Sequence, residues 1–320
     1  MISQKRNWQL LMPLVLPAVM SFSLRAAEPG KIPGIGPLGE VVRIGGDFQF
    51  TEGPAQDSDG ILYFTDIPAE RIYRLGRDGR TSVFLEPSGH ANGLMFDAAG
   101  KLIACQMDGR LVAMDAAAKQ ITPLAEEYDG RRFNAPNDLV IDRAGGVYFT
   151  DPRFRAPEPW PQGVEAVYYR AADGRVARLI DDVPTPNGVI LSPDEKTLYV
   201  IPSMQQEMLA CEVRSPGILG PKRIFCRLAQ PDDAQPGRGG GGDGLSIDTA
   251  GNLYITSALG IQVFNPEGEL LGIIAIPEKP ANVTFGGPDR RTLYVTARTS
   301  LYAVKTQAVG HVFPGVVPLP

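Results

Sequence analysis

The sequence predicts an all-β fold, a six-bladed β-propeller with a central metal-binding channel. Three observations carry that prediction. A hairpin pattern recurs six times: an acid or amide, a short apolar strand, a turn built on Gly or Pro-Asp, and a second apolar strand. The six starts, Glu52, Asn92, Asn137, Asn187, Asp243 and Asn282, are separated by 40, 45, 50, 56 and 39 residues, the period of a four-stranded propeller blade. The 320 residues include 36 Gly and 29 Pro, which suits many short strands joined by turns. A β-sandwich is the alternative architecture, but it leaves the periodic acid or amide unexplained.

In chain order, residues 1–27 stand apart. Lys5 and Arg6 precede an apolar run from Trp8 to Phe22, and Ala26 and Ala27 follow. This pattern is that of a secretory signal peptide. An uncleaved membrane anchor is the competing reading. The run, however, contains Pro13 and Pro17 and falls short of the roughly 20 residues a spanning helix needs. The mature protein is therefore expected to be exported, periplasmic or secreted, without a stable membrane span. Residues 28–40 read as a Pro/Gly-rich tail, and residues 41–308 as the propeller.

Blade 1 runs from Glu52 through strand candidates ending in Asp66, Leu75 and Leu85. Blade 2 starts at Asn92 and blade 3 at Asn137, whose hairpin ends in Asp151. Blade 4 starts at Asn187, blade 5 at Asp243 and blade 6 at Asn282. Blade 6 shows only three strands of its own. The spare candidate Val41–Gly45 can supply the fourth, which closes the ring and covers a sheet edge. Residues 309–320 read as a C-terminal tail with His311 exposed.

Composition removes several function classes. Hydrophobic residues make up 43% and charged residues 21%, an ordinary globular balance. The net charge is −5 without a Lys/Arg cluster, which argues against nucleic acid. Cys105, Cys211 and Cys226 lack metal-site spacing and are expected as buried thiols, with at most one bridge. The only histidines are His90 and His311, and no Gly-x-Ser-x-Gly elbow exists, so no serine-hydrolase triad is expected. His90 is read as a loop histidine. Gly237–Gly242 lacks the Lys-Ser/Thr of a phosphate loop.

In a propeller the first strand of each blade lines the channel. The six opening residues then face the axis at one height, and every one carries a side-chain oxygen. Asn and Asp can also simply start turns. Glu52 is not a turn former, which favours the other reading: a hard-oxygen cage with two carboxylates. Such a cage suits Ca2+, with Mg2+, Mn2+ or Zn2+ as alternatives. Polar ends of the second strands, Asp66, Gln106, Asp151, Ser203, Ser257 and Arg298, are expected to rim the pocket. The loop Pro152–Trp160 is a candidate substrate wall.

At these residues the sequence resembles the gluconolactonase/senescence-marker-protein/luciferin-regenerating-enzyme family. The matching pieces are EGPAQDSDGILYFTDI (52–67), NAPNDLVIDRAGGVYFTDP (134–152), PNGVILSPDEKTLYV (186–200), GDGLSIDTAGNLYIT (242–256) and ANVTFGGPDRRTLYVTA (281–297). The resemblance covers about residues 45–305 and is nearest the bacterial gluconolactonase branch. It implies a lactonase, a carboxylic ester hydrolase with one divalent cation, usually Ca2+, in the channel. It implies Glu52, Asn187 and Asp243 as metal ligands, with Asn137 as a ligand or substrate contact. It implies Asp243 as catalytic base or nucleophile; that residue, or a metal-bound water it deprotonates, would open the lactone after the cation polarises the carbonyl.

Asn92 and Asn282, the other ring members, and Asp151 on the rim are assigned to the substrate, a small lactone or ester. One departure stands out: animal sugar lactonases of the family carry Arg where this chain has Ala135. Arg131, Arg132 or Arg153 are candidate replacements. A phosphotriesterase-like hydrolase at the same cation, and a non-catalytic sugar- or protein-binding propeller with a structural Ca2+, are the alternative functions.

Overall fold

Turn residues force the chain back on itself every few residues, and six four-stranded antiparallel sheets result in this computed structural model. It describes residues 31–232 and 240–313. The predicted signal segment, the first half of the Gly237–Gly242 run and residues beyond 313 lie outside the described residues.

Blade 1 comprises Thr51–Gln56, Leu62–Asp66, Arg71–Leu75 and Thr81–Leu85. Blade 2 comprises Ala91–Phe96, Leu102–Gln106, Arg110–Met114 and Ile121–Ala125. Blade 3 comprises Leu139–Ile141, Val147–Asp151, Ala166–Arg170 and Val176–Ile180, preceded by a small hairpin of Glu127–Tyr128 with Arg131–Arg132. Blade 4 comprises Pro186–Leu191, Thr197–Pro202, Glu207–Ser215 and Ile218–Arg227. Blade 5 comprises Leu245–Ile247, Leu253–Ser257, Gly260–Phe264 and Leu270–Ile274. Blade 6 combines Asn282–Gly286, Thr292–Ala297 and Ser300–Lys305 with Val42–Gly45 from the other end of the chain. In that last pairing Val42 faces Ala303 and Arg43 faces Tyr302.

A short motif shapes four of the inner hairpins. Asp57, Asp97, Asp142 and Asp248 each open an Asp-x-x-Gly turn, and their carboxylates accept backbone N–H groups from the turn. Gly60, Gly100, Gly145 and Gly251 then take φ of 81°, 78°, 76° and 86°, the left-handed region glycine enters at no steric cost. Burial falls from the axis outward. The inner strand Thr51–Gln56 is buried throughout, whereas the outer strand Thr81–Leu85 is half exposed. Aromatic edge contacts knit neighbouring blades, as Tyr63 does with Phe96 and Tyr254 with Phe285.

Two segments expected as tails are packed. Ile32 and Ile35 are each 4% exposed and join the apolar layer of blades 5 and 6. At the other end, Asp248 bridges to Gly310, His311 N–H donates to Ile247 O at 3.0 Å, and Phe313 is buried. His311 is thus not exposed. Its ring lies edge-on to Phe313 at 4.9 Å, its Nε2 is shielded from water without a partner, and burial pulls its pKa down. All three cysteines are free and buried, and burial pushes the thiols up, Cys226 to about 12. No helix among the described residues is long and apolar enough to cross a membrane.

Candidate active site

Outside blade 6, where Asn282 pairs with Thr296 in a regular ladder, the first strands do not start as regular ladders. Pairing slips between Glu52 and Ala55, between Ala91 and Leu94, and between Pro186 and Val189. In blades 3 and 5 the ladder begins only at Leu139 and Leu245. Such bulges re-aim side chains at a strand end. In four blades the residue after the anchor is Gly, and the packing shows why. A Cβ on Gly53 would lie 1.9 Å from Asn92 O, and one on Gly93 2.7 Å from Asn137 O. One on Gly188 would lie 2.5 Å from Asp243 O, and one on Gly244 2.1 Å from Asn282 Cγ. Backbone therefore packs directly on backbone around the axis, and the anchors converge.

Hydrogen bonds lock that approach from blade to blade. Gly93 N–H donates to Asn137 O at 2.7 Å, Gly188 N–H to Asp243 O at 3.1 Å and Gly244 N–H to Ala281 O at 2.7 Å. Thr65 and Thr150, on second strands, donate their hydroxyls to Asn92 O at 3.1 Å and Asn187 O at 2.7 Å.

Blade 3 departs from the glycine rule, because Asp138 follows its anchor. This adds a third carboxylate to the channel, one that reasoning with a single anchor per blade misses. The available signal was the lone charged residue at a position held by Gly in four other blades. Asp138 Oδ1 accepts Leu139 N–H at 2.9 Å. Burial, opposed by that bond and increased by the Asp243 charge, pushes Asp138 up to about 7.

Glu52 is raised well above the usual carboxylate range by burial, then by the charges of Asp243 and Asp138. Its Oε2 accepts Gly53 N–H at 3.1 Å. Asp243 is raised by burial to about 7 against the opposing pull of Lys279, the Asn187 amide and Arg298. Asn187 Nδ2 donates to Asp243 Oδ1 at 2.6 Å and to Ser203 Oγ at 2.9 Å. Asn282 Oδ1 accepts Val283 N–H at 2.8 Å, and the Asn282 amide opposes the upward shift of both Glu52 and Asp138. Asn92, Asn137, Asn187 and Asn282 are all buried, whereas Asp243 keeps part of its surface accessible. Below the ring the axis continues as a cavity of about 80 Å³ lined at its far end by Arg290, His311 and Phe313.

Asp151, expected at the substrate, is not a contact. It is 0% exposed, and its two oxygens accept Asn134 N–H at 2.9 Å and Ala135 N–H at 2.7 Å. The carboxylate caps the loop that delivers Asn137. Asp66 does the same in blade 1, accepting Gln49 N–H and Phe50 N–H, both at 3.0 Å. Gln106 and Ser257 are likewise buried. Of the expected rim residues, Ser203 reaches the ring through Asn187, and Arg298 is exposed.

The position of the missing family Arg is apolar here. Ala135 is fully buried in a cluster with Ile67, Met107 and Phe50. None of its three candidate replacements acts on the ring carboxylates. Arg132 binds the carbonyls of Phe133 and Asn134. Arg153 lies 4.7 Å over the Trp160 ring and 3.8 Å from Glu165. Arg131 sits exposed in the small hairpin.

His90 has partners after all. Its Nδ1 lies 2.9 Å from Asp108 Oδ1 and its Nε2 3.6 Å from Glu70 Oε1. All three residues lie on loops at the anchor end of blades 1 and 2, with candidate ligand atoms within 4.8 Å of one another.

Six four-stranded blades whose first strands open on acids and amides define the class: a six-bladed β-propeller. Within that class, the chain belongs to the SMP-30/gluconolactonase/LRE-like family, whose profile matches residues 50–299. The gluconolactonase of Zymomonas mobilis is 32% identical over 290 residues, 83% of this chain and 81% of that protein. The solved structure of a gluconolactonase from Xanthomonas campestris superposes with a TM-score of 0.76 at 31% identity, covering 83% of this chain and 89% of that one. A calcium-binding regucalcin from Agrobacterium tumefaciens shares the fold, with a TM-score of 0.72 at 21% identity over 85% and 95% of the two chains.

Proposed function

We propose that this protein is a divalent-cation-dependent lactonase that opens the ring of a gluconolactone-like substrate. The observation that carries the reading is the convergence of three carboxylates, the buried Glu52 and Asp138 and the partly open Asp243, none of which the described residues pair with a basic side chain inside the channel. Buried carboxylates that raise one another's pKa are a donor set that lacks its counter-charge. Three carboxylates among carbonyl-bearing amides fit a hard cation, and Ca2+ first among them. Glu52, Asn187 and Asp243 would hold it, with Asn137 as a further donor. Bound there, the cation would polarise the lactone carbonyl and stabilise charge developing on its oxygen.

The remaining chemistry belongs to the chain. Asp243 is the ring carboxylate with open surface, so it is the one that meets substrate and water. A cation beside it lowers its pKa and keeps it ionised at neutral pH, ready to take a proton. As water attacks the carbonyl carbon, Asp243 accepts the water proton. When the ring C–O bond breaks, the same proton passes to the departing ring oxygen, and a hydroxy acid results. Asn187 fixes the Asp243 carboxylate through its 2.6 Å bond. The apolar cluster of Phe50, Ile67, Met107 and Ala135 packs beside the Asn92 amide, which lies 3.8 Å from Met107 Sδ. Asn92 and Asn282 present amides to substrate hydroxyls.

The test is hydrolysis of D-glucono-1,5-lactone before and after chelation, in the wild type and in Glu52→Gln and Asp243→Asn. Activity that survives the chelator and both substitutions defeats the reading. The signal-like residues 1–27 support export to the periplasm or the medium, and fractionation of cells expressing the full chain checks that.

A further inference from the structure

The mouth of the bowl is sorted by charge. On blades 1 and 2 it carries Glu70 and Asp108 around His90. On blade 3, Arg153 is engaged by Glu165 and Trp160. On the side of blades 5 and 6 stand Lys279 and Arg298, both exposed. No ion pair among the described residues involves either of them. The nearest acid in sequence, Glu278, is occupied: it accepts Thr299 N–H and Thr299 Oγ1 at 3.1 Å each, Tyr302 OH at 2.9 Å, and the Ser300 hydroxyl.

Both cations are held close to the ring by backbone. Arg298 O accepts Thr51 N–H at 2.8 Å, which fixes Arg298 beside the residue preceding Glu52. Its guanidinium lies over the Phe50 ring at 5.0 Å, and its φ of 48° is left-handed. Lys279 stands three residues before Asn282, on a segment anchored by Ala281 N–H to Thr296 O at 2.8 Å.

We propose that Lys279 and Arg298 form a subsite for an anionic substituent on the lactone, so that the preferred substrate is an acidic lactone bearing a carboxylate, sulfonate or phosphate away from the ring carbonyl. Three ring carboxylates and one divalent cation leave the bowl net negative, and an anionic ring entering it needs a compensating positive rim. A stacked guanidinium and a free ammonium are the donors that such an oxyanion accepts. If the pair only balanced the charge of the bowl, neutral and anionic lactones would feel it alike. The proposal rests on the lactonase reading for its substrate but not for its geometry.

The experiment compares kcat/KM for D-glucono-1,5-lactone and its 6-phosphate at low ionic strength. The phosphorylated ring is expected to be preferred by about tenfold or more, the worth of one charge-assisted contact. The preference should shrink as salt is raised and fall to about one in Lys279→Gln/Arg298→Asn, with Asn chosen because it tolerates a left-handed φ. A wild-type ratio near one, or a ratio unmoved by salt and by the double substitution, overturns the subsite. If neither lactone is hydrolysed, the lactonase reading fails, and calorimetry with glucose 6-phosphate against glucose judges the rim alone. Tighter binding of the phosphate, lost in the double variant, supports it; equal binding overturns it.

Discussion

Asn187 and Asp243 are joined by a 2.6 Å hydrogen bond in which the amide nitrogen donates to the carboxylate. The same nitrogen also reaches Ser203 Oγ at 2.9 Å. Two acceptors therefore hold the amide in one orientation, and its oxygen is the atom left to serve as a donor to a cation. Ser203 touches no proposed substrate atom, yet it helps set that orientation. Ser203→Ala is expected to weaken cation binding by about tenfold, the scale seen when the partner of a metal ligand is removed. Calorimetric titration of the chelated protein with Ca2+ measures this; unchanged affinity would show that Asp243 alone orients the amide.

Asp138 offers a way to separate cation binding from the repulsion it relieves. Asp138→Asn keeps the shape and removes one of the three charges. Without cation, the variant should melt several degrees higher than wild type at neutral pH, because a like-charge contact is gone. Its cation affinity should fall. Thermal melts with and without Ca2+ give both readings, and a variant that is less stable without cation would refute the account of the ring.

The pH dependence of the cation-free protein has a definite sign. Burial raises Asp138 and Asp243 from the ordinary aspartate range to about 7, and Glu52 moves in the same direction. Between about pH 4 and 7 the folded chain thus binds more protons than the unfolded one, so stability falls as pH rises through that interval. Ca2+ competes with those protons, and its stabilising effect should be greater at pH 8 than at pH 5. Melting temperatures across this range, with chelator and with Ca2+, check both slopes. A cation-free protein that gains stability from pH 4 to 7 contradicts the assignment.

Asp151 serves the backbone, so its removal should harm the fold before the chemistry. Asp151→Ala leaves the buried N–H groups of Asn134 and Ala135 without acceptors. The cost is about 1–3 kcal/mol for each unsatisfied group. Denaturant unfolding should show that loss while KM of the remaining folded enzyme stays close to wild type. A rise in KM without loss of stability would return Asp151 to the substrate.

The sequence made some of these features readable and hid others for physical reasons. Six anchors at blade-like spacing, and Asp-x-x-Gly turns such as Asp97–Gly100, are local patterns, so the propeller and its closure by the first strand were legible. Glu52, Asn137, Asn187 and Asp243 stand out in the sequence because their oxygens recur at equivalent places. Asp138 was not legible, since the irregular stretch before the ladder begins at Leu139 decides whether the residue beside the anchor faces the channel. Asp151 was misread because an acid at a strand end looks the same whether it meets substrate or caps a neighbouring loop. The outer strands Glu207–Ser215 and Ile218–Arg227 carry mixed polar faces, so no apolar alternation marked them. Ile32 and Ile35 are lone apolar residues among Pro and Gly, and only the groove they fill reveals them.

The pairing of Val42–Gly45 with Ser300–Lys305 also sets a schedule for the growing chain. One strand of blade 6 is made near the beginning of synthesis and its partners near the end. Until the last of them emerges, five blades can form only an open arc, with the inner wall of the sixth position bare. The bowl depends on that same moment, because Asn282 belongs to blade 6 and packs against Gly244 of blade 5, whose N–H donates to Ala281 O at 2.7 Å. A chain released early by the ribosome thus lacks both a closed circle and a finished cage. The full set of six anchors comes together in one step, when the strands of blade 6 are made.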